Sequence, residues 1–262
     1  MTFDGPLSLT QYAIVFGASL VAGGLNSVVG GGSFIAFPAL VFIGVPPVAA
    51  NATAAFSLVP GALGSVFAYR KHLSSDRLDR RMVRAFALAS ILGGTFGAVL
   101  LLNTPATFER LIPWLLLFAS TLFSFGPLFI PRREAGAPIS RLGLIVGTIV
   151  QLIIATYGGY FGGGMGIMMM AAWTVIGMTD VHTMSALRVA FGALLNTVAV
   201  IAFLYAHAIA FRPGLVMVIG ATLSGYVGAV IATRVNGKSV RLFVNAVAWS
   251  MTAYFFWRAY AG

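Results

Sequence analysis

The sequence predicts an all-α polytopic membrane protein made of two inverted repeats of about five segments each, four long helices plus one short or re-entrant helix after a glycine-rich break. Three observations predict it. The 262 residues are 59% hydrophobic and 8% charged, with a mean hydropathy of +0.96, against roughly 25% charged for a soluble domain. Apolar windows recur along almost the whole chain, each near the roughly 20 residues that a helix needs to cross a bilayer. Finally, an unusual run of three glycines in the first half returns in the second.

The long windows fall at about 10–29, 47–69, 83–102, 111–130, 142–161, 182–206, 213–233 and 240–260. Two shorter ones, about 34–44 and 165–177, each follow a glycine cluster. The first window stays in the chain, because MTFDGPLSLTQ lacks the basic start of a cleaved signal peptide. Pro46-Pro47 and Thr179-Asp180 mark helix starts, with proline suited to the first turn and Thr or Asp to a cap.

NSVVGGGSFIAFPALVFIGVPPV has its counterpart in YGGYFGGGMGIMMMAAWTVIGMTDV. Gly30, Gly31 and Gly32 align with Gly162, Gly163 and Gly164, and Ile43-Gly44 with Ile176-Gly177. Further on, Gly97 to Leu100 align with Gly228 to Ile231, and Arg110-Leu111 with Arg241-Leu242. The offset stays between 131 and 133. Residues 1–131 therefore read as one transmembrane repeat, 132–138 as a cytoplasmic linker and 139–262 as the second repeat.

The net charge of +10 would suggest nucleic acid in a soluble protein. Here it is topological information, and no nucleic-acid partner is expected. Twelve basic residues lie in loops 70–84, 131–141 and 234–241, which the positive-inside rule makes cytoplasmic. Only Arg110, Arg212 and Arg258 lie opposite, with Arg188 inside a window. Loop 70–84 and its counterpart near 207–212 thus fall on opposite sides, which requires an odd number of crossings per half, inverted repeats, and both termini outside the cytoplasm.

A Gly-Gly-Gly interruption at membrane depth survives only where protein encloses it or a wet cavity faces it. Matched interruptions in inverted repeats point to a transporter's central site. The amides and dipole at the start of the short helices, near Phe34 and Met165, favour an anion. The bland alternative is that the glycines only let helices approach closely. All six acids (Asp4, Asp76, Asp79, Glu109, Glu134 and Asp180) lie in loops or at window ends, which argues against cation transport.

Arg188 is the one permanent charge within a window, so it is a candidate anion ligand, or else a residue that snorkels to the nearby interface. Asn26 in the first break, Ser33 after it, Asn51 and Thr53 in the next helix, and Ser185 as their repeat counterpart could donate to oxyanion oxygens or simply join helices. Tyr157 and Tyr160 flank the second break. There are no cysteines, no metal-ligand spacing and no dinucleotide-site context. His182 and His207 sit at window ends and His72 in a loop, so Ser33 has no credible base for an intramembrane protease. No cofactor, metal or catalytic set is expected.

At these residues the chain resembles the TauE/SafE (TSUP) family of sulfite exporters. The resemblance runs from AGGLNSVVGGGSFIAFPALVFIGVPPVAANATAAFSLVPGALGSVFAYRK to GGYFGGGMGIMMMAAWTVIGMTDVHTMSALRVAFGALLN. It departs where Asn51-Ala52-Thr53 stands in place of a common Gly-Thr-Ser, and in the bulky Met168, Met169 and Met170. The resemblance implies a secondary transporter of sulfite, thiosulfate or a sulfonate such as sulfoacetate in the bacterial cytoplasmic (inner) membrane. The candidate substrate site, read from the breaks and the polar groups around them, comprises Asn26, Gly30 to Gly32, Ser33, Asn51, Thr53, Tyr157, Gly162 to Gly164, Ser185 and Arg188. A passive anion channel of the same fold is the alternative, and apolar outer surface leaves a homodimer open.

Overall fold

A computed structural model describes residues 7–28, 30–73, 79–125, 140–178, 180–231 and 237–260. All its elements are helical: α1 (Leu9–Val28), α2 (Ser33–Phe42), α3 (Pro47–Ala68), the single turn α4 (Arg70–Leu73), α5 (Arg80–Asn103), α6 (Pro105–Phe125), α7 (Arg141–Tyr160), α8 (Met165–Val175), α9 (Val181–Tyr205), α10 (Phe211–Ile231) and α11 (Gly237–Tyr260). Five of the described helices (α3, α5, α6, α7 and α9) are long and apolar enough to cross a membrane by length and composition. The protein is a multi-pass membrane protein.

Helix starts follow local chemistry. Pro47 opens α3 at its first position, where the missing N–H costs nothing. Asp180 caps α9 by accepting from the His182 amide at 3.1 Å, while Thr179 lies outside the described residues. Asp79 and Ser140 cap α5 and α7 in the same way. The one sizeable displacement from the sequence windows is α6, which begins at Pro105, about a turn and a half before its apolar window. Pro105 sets the first-turn backbone, so polar residues such as Glu109 are helical without being apolar.

Small residues set the packing. On α5, Gly93, Gly94, Gly97 and Ala98 face inward while Leu92 and Phe96 are exposed, the pattern of a helix with protein on one side and lipid on the other. A Cβ on Gly97 would lie 2.1 Å from the Thr156 carbonyl, and one on Gly159 would lie 2.2 Å from that of Gly94, so α5 and α7 touch backbone to backbone. Helices α10 and α1 touch in the same way, where Gly228 meets the Cα of Gly24 and Gly23 meets the Ala221 carbonyl.

These contacts fix helix directions. Helices α1, α3 and α10 run parallel, because Thr53 bonds the Ala210 amide near their starts and Ser27, Ser65 and the Gly225 carbonyl join near their ends. Helices α5, α7 and α9 form the matching parallel trio: Phe86 meets Gly147 and Phe191 early, and Gly94 meets Gly159 and Leu195 later. The trios run in opposite directions, since Arg188 near the start of α9 reaches the end of α1. Each trio takes two helices from one half of the chain and one from the other.

The short helices run back on themselves. Gln11 Nε2 donates to the Ile43 carbonyl at 3.3 Å, which brings the far end of α2 beside the start of α1. At roughly 1.5 Å per residue, the 10 residues of α2 and 11 of α8 reach only about half-way through the roughly 30 Å apolar layer. The breaks between α1 and α2 and between α7 and α8 therefore lie deep in the bundle. Helices α6 and α11 pack on each other, through Trp114–Tyr260 at one end and Ser124–Asn245 at the other.

Candidate functional site

Both breaks are turned by left-handed glycines: Gly30 at φ +80°, Gly162 at +81° and Gly164 at +77°, a region in which a side chain is strained. They meet at the centre. A Cβ on Gly30 would sit 3.5 Å from Gly166 Cα, and one on Gly162 would sit 3.7 Å from Ser33 Oγ. Each helix entering a break leaves its last carbonyls without intrahelical donors, and in each case a polar side chain from the other half supplies one. Asn51 Nδ2 donates to the Tyr160 carbonyl at 3.2 Å. Arg188 donates through Nη1 to the Asn26 carbonyl at 3.3 Å and through Nη2 to that of Ser27 at 3.0 Å.

Arg188 is only 4% exposed and is thus enclosed rather than snorkelling. A buried cation against the negative end of a helix is favourably placed. Beside it lies a polar cavity between the end of α1, α3, the start of α8 and α9, lined by Asn26, Ser27, Gly30, Ser65, Gly166, Arg188 and Asn196, with Met165 and Met169 as its apolar wall. The first amides of α8 have no intrahelical acceptor, since Ile167 and Met168 make the earliest inward bonds to the Gly164 carbonyl. The space open to the centre of a water molecule is about 20 Å³, enough for about one water. An organic anion needs this centre to widen.

The cavity lies toward the end of the bundle where α3 finishes and α5, α7 and α9 begin. On the other side of the breaks an aromatic cluster closes the bundle. Phe37 stands 5.8 Å from both Phe161 and Phe255, and Phe108 lies 5.4 Å from Tyr160 and 6.3 Å from Phe161. All five rings are buried. The bundle is polar and hollow on one side of its centre, and apolar and packed on the other.

Of the residues singled out in the sequence, Asn26, Gly30 and Arg188 come together around the cavity. Gly31 packs against Val244, Phe123 and Phe34, and Gly32 fits under the Ala22 carbonyl, so these two serve close packing. Asn51 caps α7, and Thr53 Oγ1 accepts from the Ala210 amide at 2.9 Å. The Tyr157 hydroxyl donates to the Gly163 carbonyl at 2.7 Å and braces the second break from within. Ser33 faces Gly162, Gly163 lies against the Phe161 ring, Gly164 against Ala119, and Ser185 is half-buried on the first turns of α9. None of these lines the cavity in this conformation. Sequence reasoning missed Ser27, Ser65 and Asn196. The spacing Arg188, Gly192, Asn196 carried a signal, because positions four apart share a helix face.

Broken helices that meet around a polar cavity with an enclosed arginine, inside a bundle of apolar helices, define the transporter class of multi-pass membrane proteins. The chain belongs to the sulfite exporter TauE/SafE family, whose model matches residues 15–255. Among its relatives, a "Probable membrane transporter protein" of Haemophilus influenzae is 29% identical over 251 residues, covering 94% of this chain and 95% of the relative. The "Probable membrane transporter protein ORF9" of a Sinorhizobium species is 26% identical over 237 residues, 90% and 88% of the two chains. The "Probable membrane transporter protein YfcA" of Escherichia coli K12 is 23% identical over 245 residues, 92% and 87%.

Proposed function

We propose that the protein is a secondary transporter that moves a small sulfur-containing anion, such as sulfite, thiosulfate or a sulfonate, across a bacterial inner membrane by alternating access. The observation that carries this reading is the enclosed Arg188 beside the first break, in a cavity it shares with Asn26, Asn196 and the amide-rich start of α8. A guanidinium offers donors in a fork that matches oxyanion geometry, and the α8 dipole adds positive potential. Nothing in this scheme makes or breaks a covalent bond.

The opposed trios support two repeats inverted across the bilayer, approximately residues 1–131 and 139–262, with termini outside and the basic loops inside. On that assignment the cavity faces the cytoplasm and the Phe37–Phe108–Phe161 cluster closes the outer path. Closure on one side favours a carrier over an open channel. Transport would exchange the two arrangements, opening the aromatic side while the trio carrying Arg188 closes over α1.

The test is a binding screen of sulfite, thiosulfate, sulfoacetate and taurine against purified wild type and Arg188→Ala, with thermal unfolding of each as a folding control. We expect one or more of these compounds, each carrying a sulfur oxyanion group, to bind wild type and to lose at least about tenfold in affinity in the variant, as removal of a charged hydrogen-bond donor implies. Equal binding by a folded Arg188→Ala protein would remove Arg188 from the site.

A further inference from the structure

Asn196 is 7% exposed and lines the cavity that holds Arg188, and among the described residues its carboxamide takes no hydrogen bond from or to protein. Its amide atoms therefore border the open space of the cavity, where water or a ligand completes them. The two side chains sit two turns apart on one face of α9, with Gly192 between them. That glycine leaves the helix backbone bare in the middle, where a Cβ would meet nothing closer than the tip of Met165 at 3.6 Å. Across the space, Asn26 presents a second carboxamide, and it too has no hydrogen bond to its side chain among the described residues. Arg188 thus offers charge at one end of this face of α9, and Asn196 offers a neutral donor and acceptor group two turns away.

Resting on the anion-transport reading above, we propose that Asn196 is a specificity-determining residue: it selects small organic anions that carry a neutral hydrogen-bonding group close to the charged head over anions of equal charge that lack one. The chemistry is asymmetric. An apolar pocket hardly distinguishes a methyl from a hydroxyl, whereas a buried polar group left unpaired by the wrong ligand penalises it heavily. Asn196 supplies both an acceptor and two donors, so a hydroxyl or amide carried on the second carbon from the sulfur would complete it. Met165 and Met169 on the opposite wall suit the short carbon linker between the two ends.

The experiment compares 2-hydroxyethanesulfonate with ethanesulfonate, which share a charge and differ by one hydroxyl, in equilibrium binding to the purified full chain. Wild type should prefer the hydroxylated sulfonate by about tenfold or more, the range expected when one ligand leaves a buried polar group unpaired. Asn196→Leu, close to constant volume, and Asn196→Ala should both bring the two affinities to within about twofold of each other, because the group that distinguishes them is gone. Wild type binding the two equally overturns the proposal, as does a variant that keeps the preference or loses both ligands in parallel. In the first two of those outcomes the anion site still stands. Failure of both sulfonates to bind wild type overturns the proposal together with the reading it rests on.

Discussion

Gly30→Ala probes how the first helix break and Arg188 depend on each other. At φ +80° a side chain costs about 1–2 kcal/mol in backbone strain alone. The added Cβ would also lie 2.4 Å from Arg188 Nη1, against the 3.4 Å of ordinary contact. The obstructing atom is the tip of a long side chain, so the guanidinium gives way rather than the backbones. It must retreat by about 1 Å to reach ordinary contact. The Nη1 bond to the Asn26 carbonyl is already 3.3 Å long and does not survive the move. Loss of one charged-donor bond adds about 1.5–3 kcal/mol, for a total of about 2.5–5 kcal/mol.

Two further alanines separate these contributions. Gly177→Ala carries the strain at φ +109° but meets nothing within 4 Å, and Gly17→Ala on α1 meets nothing and has no positive φ. Thermal unfolding in detergent, followed by tryptophan fluorescence, should place Gly17→Ala level with or slightly above wild type. Gly177→Ala should fall a few degrees below, and Gly30→Ala further still, at about 2–4 °C per kcal/mol. Anion affinity should fall in Gly30→Ala alone. A Gly30→Ala protein that melts with Gly177→Ala and binds anions like wild type would refute the account of Arg188 lodged against the break.

Other expectations follow the same physics. Gly97→Ala sets a Cβ 2.1 Å from the Thr156 backbone, where no flexible tip can yield, and should cost more than about 3 kcal/mol. Gly24→Ala, whose nearest atom is 3.8 Å away, should be tolerated; melting temperatures compare the two. Arg188→Lys keeps the charge but cannot bridge two carbonyls with one planar fork, so anion binding measured by titration should weaken by about tenfold. The Thr183 hydroxyl, aided by the His182 and Thr183 amides, holds the Asp180 carboxylate below its usual range. Its contribution is therefore full above the unfolded carboxylate pKa of about 4 and is lost as pH falls through the lower folded value. Between pH 7 and 3, wild type should lose melting temperature more steeply than Asp180→Asn, and Asp180→Ala should lose about 1 kcal/mol of capping at pH 7. Since the chain has no cysteine, Ser65→Cys, enclosed here and within reach only as the cavity widens, should react slowly with a small thiol reagent added on the basic-loop side of proteoliposomes, and Phe108→Cys more slowly still. The reverse pattern would invert the assigned state.

Order along the chain was legible because membrane helices announce themselves locally: hydropathy marks their length, proline and aspartate mark their starts, and a repeated glycine run marks each break. The partition of roles within the glycine runs was not legible. Gly30, Gly31 and Gly32 are identical in sequence, yet Gly30 borders the cavity while its neighbours pack under Ala22 and against Phe123. That difference depends on which surface each backbone atom meets, and those surfaces come from helices far away in the chain. Asn51 and Thr53 looked as suitable as Arg188 for holding an anion, until folding placed the Tyr160 carbonyl and the Ala210 amide within their reach.

The sequence by itself determined that this chain lives in a bilayer, that a glycine run recurs in each half, and that each run interrupts an apolar stretch, because those properties reside in composition and short-range pattern. Only the tertiary structure decided that the breaks cross, that Arg188 caps the opposite half's helix, and that Asn196 opens onto the same hollow. A buried polar side chain takes whichever partner the distant segments bring within about 3 Å, and no local pattern encodes that distance.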